Sequence, residues 1–484
     1  MTTPKRFGVG ASSPEADDWN SIDWNKVRGD VRRLQMRIAK AIREGRHGKA
    51  RALQWLLTHA YSARLWAVKR VTENQGARTP GVDKQVWRSS RQKYHAAQNL
   101  NARGYRPLPL RRLYIPKGKN QMRPLGIPTL RDRAMQALYA LALTPVAETL
   151  ADRNSYGFRE GRGCADAIGQ CFNALAKSDA AQWVLEADIR SCFDRISHPW
   201  LLAHIPMDKR ILRRWLQAGY LEQQQWYPTT EGTPQGGIIS PLLTNLTLDG
   251  LEAAVRSVVR KRGDQVNLIR YADDFIVTAR TRELLEQKIK PALVAFLHPR
   301  GLELSEQKTT ITHIGDGLTF LGQTLRKLGA KLVITPARNS LKRLLEKIRQ
   351  CMKKHLGVSS EVLIGKLNPI LRGWANYHRH ICAKKSFCRV DRYVQASLLR
   401  WAKRRHPNKT YGWIRRKYFS AAGVVGDFSI RQRMADGASR LRRLYRIGRT
   451  KIERHIKVRA EANPYDAAYH EYFEKRKVFA WRVY

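Results

Sequence analysis

Two adjacent carboxylates sit inside what is otherwise β-forming sequence. Asp273 and Asp274 lie between the apolar arms Val266-Asn-Leu-Ile-Arg270 and Phe275-Ile-Val-Thr278. Arms rich in Val, Ile and Phe around a short polar break read as two antiparallel strands with the acids at their turn. Taken alone, a turn accounts for Asp well enough. A third acid makes that reading harder to keep, because Asp188 ends another short apolar strand, Trp183 to Ile189. Unpaired carboxylates near a core are costly. They are also scarce here: 90 of the 484 residues are Lys or Arg and 40 are Asp or Glu, a formal charge of +50. Binding Mg²⁺ would offset the cost, since that ion takes a few carboxylates together with substrate phosphate oxygens. Two such ions suit in-line phosphoryl transfer, one activating the attacking hydroxyl and the other steadying the leaving group.

The excess positive charge calls for a polyanionic partner, and nucleic acid is the obvious one. Hydrophobic residues make up 43% of the chain and aromatics 9%. That excludes a disordered basic tail and predicts two to four domains with real cores. Residues 1–20 read as a polar leader without the apolar core of a secretion signal. The most apolar stretch, Ala137 to Ala147, is broken by Pro145 and is too short to span a bilayer. Six scattered Cys fit a reducing compartment. The stripe Val27, Val31, Leu34, Ile38, Ile42 predicts a first helix and Ala50 to Val71 a second. Leu113 to Pro116 and Arg123 to Ile127 predict a hairpin, and Pro128-Thr129 opens a helix through about Leu143. Beyond Pro336 the spacing of Leu341, Leu344, Leu345, Ile348 and Met352 is helical again. The middle of the chain therefore mixes helices with antiparallel strands, an α+β pattern.

A basic groove leading to an acidic metal pair is what a nucleic-acid polymerase needs, and the flanking residues sharpen that. Tyr271-Ala-Asp-Asp274 resembles the reverse transcriptase signature. Asp188-Ile-Arg-Ser-Cys-Phe193-Asp194 resembles the first carboxylate motif of the same palm. Gly232-Thr-Pro-Gln-Gly-Gly-Ile-Ile-Ser-Pro241-Leu-Leu-Thr-Asn245 resembles the block expected between them. Arg123-Pro-Leu-Gly-Ile-Pro128, Ser155-Tyr-Gly-Phe-Arg159, Phe320-Leu-Gly322, Leu34-Gln35 and Thr79-Pro-Gly-Val-Asp83 narrow the likeness to group II intron-encoded reverse transcriptases, also called maturases. Leu367-Asn-Pro-Ile-Leu-Arg-Gly-Trp-Ala-Asn-Tyr-His378 resembles the maturase region of that family, domain X. The likeness runs over roughly residues 20–475.

The resemblance implies an α+β right-hand polymerase: fingers, a palm with an antiparallel sheet, and a helical thumb. A helical N-terminal extension would occupy 1–100, fingers and palm 101–335, thumb and maturase region 336–430, and a basic DNA- or RNA-binding tail 431–484. Asp188, Asp273 and Asp274 would be catalytic and would hold two Mg²⁺ ions, replaceable by Mn²⁺, with the Ile189 carbonyl as a further ligand. Phe193 would lie under the sugar of the incoming nucleotide, where a bulky ring blocks a 2′-hydroxyl. Lys117 and Arg123 would clamp the triphosphate, and Gln235, beside two glycines, would meet nucleotide or template. Arg159, Arg162, Tyr271 and Gly322 would touch template or primer, although Glu160 stands where many relatives have Pro or a basic residue. Arg372, Arg379, Arg400, Lys403, Arg404, Arg405, Arg415 and Arg416 would meet RNA, interleaved with aromatics that either stack on bases or fill helix cores.

Many relatives end in an HNH endonuclease with Cys-x-x-Cys zinc pairs. No Cys-x-x-Cys occurs in these 484 residues, so no zinc is expected. The endonuclease is expected to be absent or lost, with primers from another source such as a nascent strand at a replication fork. The implied function is RNA-directed DNA synthesis by a protein that binds its intron RNA, assists splicing and copies the intron for retrohoming. Its partners would be that intron RNA, an RNA template with a DNA primer, target DNA and dNTPs, with no membrane, in a bacterial cytoplasm or an organelle. Whether it is a monomer or a homodimer is left open. Two alternatives stand beside this: a non-catalytic splicing cofactor, and a reverse transcriptase recruited to DNA repair or phage defence.

Overall fold

A computed structural model describes residues 19–116, 122–259, 261–419, 427–433 and 439–481. The chain opens with helix α1 (Trp24–Arg43), capped by the Asp23 carboxylate on the amides of Asn25 and Lys26. Val27, Val31, Ile38 and Ile42 are buried along it, as the stripe predicts. With the helices His47–His59 and Tyr61–Thr72 it packs on α2 (Leu130–Leu150), which is buried almost end to end.

Helix α2 runs past the expected stop near Leu143 and carries Pro145 inside it. Proline has no amide to give the carbonyl four residues back. That carbonyl, on Leu141, accepts instead from the Gln35 side chain at 2.8 Å. Gln35, one position beyond the stripe residue Leu34, is therefore the buried member of the Leu34-Gln35 pair.

A four-stranded antiparallel sheet lies at the centre, built from β1 (Trp183–Asp188), β2 (Asn267–Tyr271), β3 (Asp274–Ala279) and β4 (Thr310–His313), in the order β2-β3-β1-β4. Alternation along the strands sends side chains to two cores. Leu185, Ala187, Leu268, Phe275 and Val277 join α2 and the N-terminal helices. Val184, Ile269 and Ile276 join α3 (Cys164–Leu175) and the C-terminal helices. To one side the hairpin Leu110–Pro116 with Met122–Ile127 pairs through Leu110 with Tyr220.

Beyond the sheet, strands Leu318–Phe320, Gln323–Leu328 and Lys331–Pro336 lead into helices α4 (Arg338–Lys354), α5 (Ser360–His378), α6 (Lys384–Arg405) and α7 (Tyr411–Phe419). Trp401 is buried and donates to the His355 carbonyl at 3.1 Å, and Trp374 donates to Ser340 Oγ at 3.2 Å. Both rings are packing elements here.

The segment read as a basic tail from residue 431 is anchored instead. Val458, Ala462, Tyr465 and Phe473 are buried, because apolar residues interrupt the basic ones at positions that charge counting overlooks. Residues 453–476 form a strap that touches the end of α5, the 159–163 loop, the start of α3 and α1. No helix among the described residues is long and apolar enough to cross a membrane.

Candidate active site

The register of the central sheet sets Asp188 directly opposite Asp274 on neighbouring strands. Tyr271 pairs with Asp274 across the β2–β3 hairpin, so Ala272 and Asp273 form its two-residue turn. Ala272 takes φ +58°, a backbone region that residues with a Cβ seldom enter. Strain of that kind persists only where the surroundings hold it.

They do so here. Backbone bonds tie Tyr156 N to Arg270 O and Arg270 N to Asn154 O, both at 2.9 Å, so the Asn154–Phe158 segment runs along β2. A Cβ on Gly157 would stand 2.3 Å from Ala272 N, so only glycine lets the two backbones meet. Asn245 donates to Gly157 O at 2.8 Å and accepts from Arg270 at 3.2 Å. Arg270 is fully buried and paired with Asp249. Burial pushes the Asp249 carboxyl up, to about 6, against the pull of Arg270.

The three candidate carboxylates repel one another. Burial pushes Asp274 up to about 6, and Asp273 and Asp188 add to the rise. Lys308 works the other way, with Nζ 2.7 Å from Asp188 Oδ2. Its sequence gave no sign of this, since it lies 120 residues away on a loop. Among the described residues no three His, Cys, Asp or Glu side chains form a metal cage. Open carboxylate sets are nonetheless what Mg²⁺ uses when substrate phosphates complete its shell. Mutually repelling acids on one rung of a sheet fit that donor chemistry.

The other predicted residues fall in several places. Ile189 is buried and bridges to Leu304. Phe193 is half-buried, its ring edge-on to Phe158 at 6.4 Å, and Phe158 is 58% exposed. Gln235 bonds Asp194 Oδ2 at 2.7 Å, and its carbonyl accepts from Gly126 N at 2.8 Å. The block around Gln235 is thereby joined to the hairpin that carries exposed Arg123, paired in register with Ile115. Lys117 lies outside the described residues. Leu321 and Gly322 both take positive φ, +48° and +71°, in the two-residue turn between Phe320 and Gln323, as a tight hairpin requires. Tyr377 fastens that turn by donating to Leu321 O at 2.7 Å. The Tyr271 phenol lies beside the Cys164 thiol, and burial followed by that thiol raises it to about 12.

Three arginines expected on nucleic acid are used internally. Arg159 is 4% exposed at its side chain, forks onto Glu148, and also donates to the carbonyls of Asp152 and Ser155. Arg162 donates to the carbonyls of Arg153, Ala460 and Ala462, and burial pulls its pKa down to about 10. Arg379 pairs with Glu453 at 2.7 Å. Arg159 in this way satisfies a carboxylate that would otherwise be buried unpaired, and all three spend their donors on the protein itself. Arg372, Arg400, Arg404, Arg405, Arg415 and Arg416 are exposed on α5 to α7, and Lys403 is half-buried.

An antiparallel sheet presenting three carboxylates at one end, flanked by a hairpin on one side and helices on the other, defines a reverse-transcriptase fold. Family comparison agrees: residues 115–325 match the reverse transcriptase (RNA-dependent DNA polymerase) family, 19–100 the N-terminal domain of reverse transcriptase, and 341–419 the group II intron, maturase-specific domain. The chain is 32% identical over 353 residues to protein YkfC of Escherichia coli (strain K12), covering 62% of this chain and 90% of that one. It is 31% identical over 327 residues to the group II intron-encoded protein LtrA of Lactococcus lactis subsp. cremoris, covering 54% of each. It thus spans about half the length of that relative. Telomerase from Candida Tropicalis aligns with 62% of each chain at 14% identity and a TM-score of 0.39. The chain belongs to the group II intron-encoded reverse transcriptase and maturase family.

Proposed function

We propose that this protein is an RNA-directed DNA polymerase of a group II intron, which binds its intron RNA, assists splicing and copies the intron for retrohoming. The observation that carries the reading is the single rung holding Asp188 and Asp274, with Asp273 on the braced turn beside it. Divalent ions held by Asp188, Asp273, Asp274 and the Ile189 carbonyl, Mg²⁺ or in its place Mn²⁺, would lower the pKa of an attacking hydroxyl and stabilise a leaving pyrophosphate. The chain's own part is placement. Phe193 faces the sugar and excludes a 2′-hydroxyl, Gln235 contacts nucleotide or template, and Arg123 with Lys117 grips the triphosphate as bidentate and point charges. Tyr271 and Gly322 set the primer end. Arg372, Arg400, Lys403, Arg404, Arg405, Arg415 and Arg416 contact intron RNA through its phosphates. Fingers and palm fall within 101–335, thumb and maturase region within 336–430, in a bacterial cytoplasm or an organelle.

Extension of a DNA primer on an RNA template with dNTPs and Mg²⁺ tests this, beside the Asp273→Ala, Asp274→Ala double variant. Extension by the native chain and none by the variant supports the reading. No extension by a folded, RNA-binding native chain overturns it and leaves a splicing cofactor.

A further inference from the structure

The strap encloses space. It leaves α5 at Glu453, whose amide bonds Arg379 O at 3.0 Å and whose carboxylate pairs with Arg379. It crosses to the central domain, where Asp166 receives His455 Nε2 at 2.8 Å and Val458 N at 2.7 Å. It then reaches α1, where Arg32 donates to Pro464 O and lies over the Tyr465 ring, and Arg43 pairs with Asp466. Helix α8 (His470–Trp481) turns back, and Arg476 rejoins Asp166 at 3.2 Å. Thumb, palm and N-terminal helix become one ring. Inside it lies a cavity of about 1890 Å³, beyond the roughly 300–1,000 Å³ of small-molecule pockets.

Its walls suit a polymer of phosphates and flat bases. Arg28 and Arg70 line it from the N-terminal helices, and Arg454 and Lys475 from the strap; all four are exposed. Two of the acids present are already engaged: Glu160 by Tyr465 and Arg32, and Glu453 by Arg379. The rings of Phe158 and Tyr377, 58% and 38% exposed, offer faces for stacking. Cys164 also lines the cavity and touches Tyr271, so the space adjoins the carboxylate turn.

We infer that the strap closes a channel through which single-stranded RNA passes next to the active site, so that residues 453–476 form a wall of the template path. The inference rests on the polymerase reading, but its test needs neither primer, dNTP nor metal. Binding of a fluorescein-labelled single-stranded RNA is measured for the full chain, for Arg28→Glu on the N-terminal helix with Arg454→Glu on the strap, and for Arg37→Glu with Lys49→Glu. The last pair is exposed, outside the cavity, and carries the same change in charge. The expected result is that the cavity pair weakens binding by about tenfold or more, and the control pair by much less. Equal weakening in both, or none in either, overturns the channel. As a second measurement on the native chain, RNA carrying 4-thiouridine is crosslinked by light. Crosslinks to peptides of 453–476 support the wall, and crosslinks that avoid them overturn it. A chain that binds RNA in this pattern yet extends no primer sinks only the polymerase reading. Extension with the pattern absent sinks only the channel.

Discussion

A proline in the middle of a buried helix leaves a carbonyl wanting a donor, and here the donor comes from another helix. Gln35 meets Leu141 O, the acceptor Pro145 cannot serve. Gln35→Ala is expected to cost about 1–3 kcal/mol, the usual penalty for a buried group left unpaired. Pro145→Ala in the same chain should recover part of that, since the new amide reaches the same carbonyl. A urea-unfolding double-mutant cycle reads the coupling, and strict additivity would show that the two residues do not share the acceptor. Gly157 makes a sharper demand. In Gly157→Ala the added methyl runs into the backbone of the Asp273 turn. Primer extension should fall by roughly a hundredfold, the scale set by about 1 Å of misplacement at a reacting centre, while circular dichroism stays native. Full activity in that variant would mean the turn has slack. The placement of the three carboxylates, two at a hairpin turn and one at a strand end, was legible because the β-forming runs around them are contiguous in sequence. Lys308 and Asp166 were not, because each acts on residues far along the chain.

Among the elements, the β2–β3 hairpin could be read directly, because its strands and turn are contiguous. The strap could not, because each of its fastenings to α1, the 159–163 loop and α3 lies 289 or more residues from its partner. Its central fastening is one carboxylate. Burial alone would raise the Asp166 pKa, but His455, the Val458 amide and Arg476 together hold it below the usual carboxylate range. An acid whose pKa is depressed on folding stabilises above its unfolded pKa, about 3.9. That stability is lost as pH falls through the folded value. The strap should therefore stay closed at neutral pH and open only below about pH 4. Asp166→Asn should open it at pH 7 as well. Hydrogen exchange over 455–473 measures both, and slow exchange in the variant at pH 7 would place the hold elsewhere. The hydrophobic stripe of α1 was also correct as read, whereas the helix break at Pro145 was not, since its remedy lies on a different helix.

At the scale of the molecule, a charge of +50 is a statement about salt. Neutralising six to ten phosphates would make RNA affinity fall by about 10³–10⁵ between roughly 50 and 200 mM salt. Fluorescence anisotropy across that range gives the slope of log Kobs against log salt. A slope shallower than about −2 would mean that few of the cations meet phosphate. Overall architecture was predictable because three ordered blocks fix a palm, and a palm fixes what surrounds it. The ring was not, because nothing local announces that a basic, loop-rich stretch with scattered apolar residues will dock.

That ring has a consequence for how the protein is made. Arg43 and Asp466 are separated by 423 residues. At about 5–20 residues per second, a ribosome needs roughly 20–80 s to deliver the second after the first. For the last part of that interval, roughly 7–26 s at the same rate, the N-terminal helices and the palm are both present without the latch that joins them to the thumb. Until then the space that the strap closes stays open along that side. The order of synthesis places the latch last, after every wall that it joins.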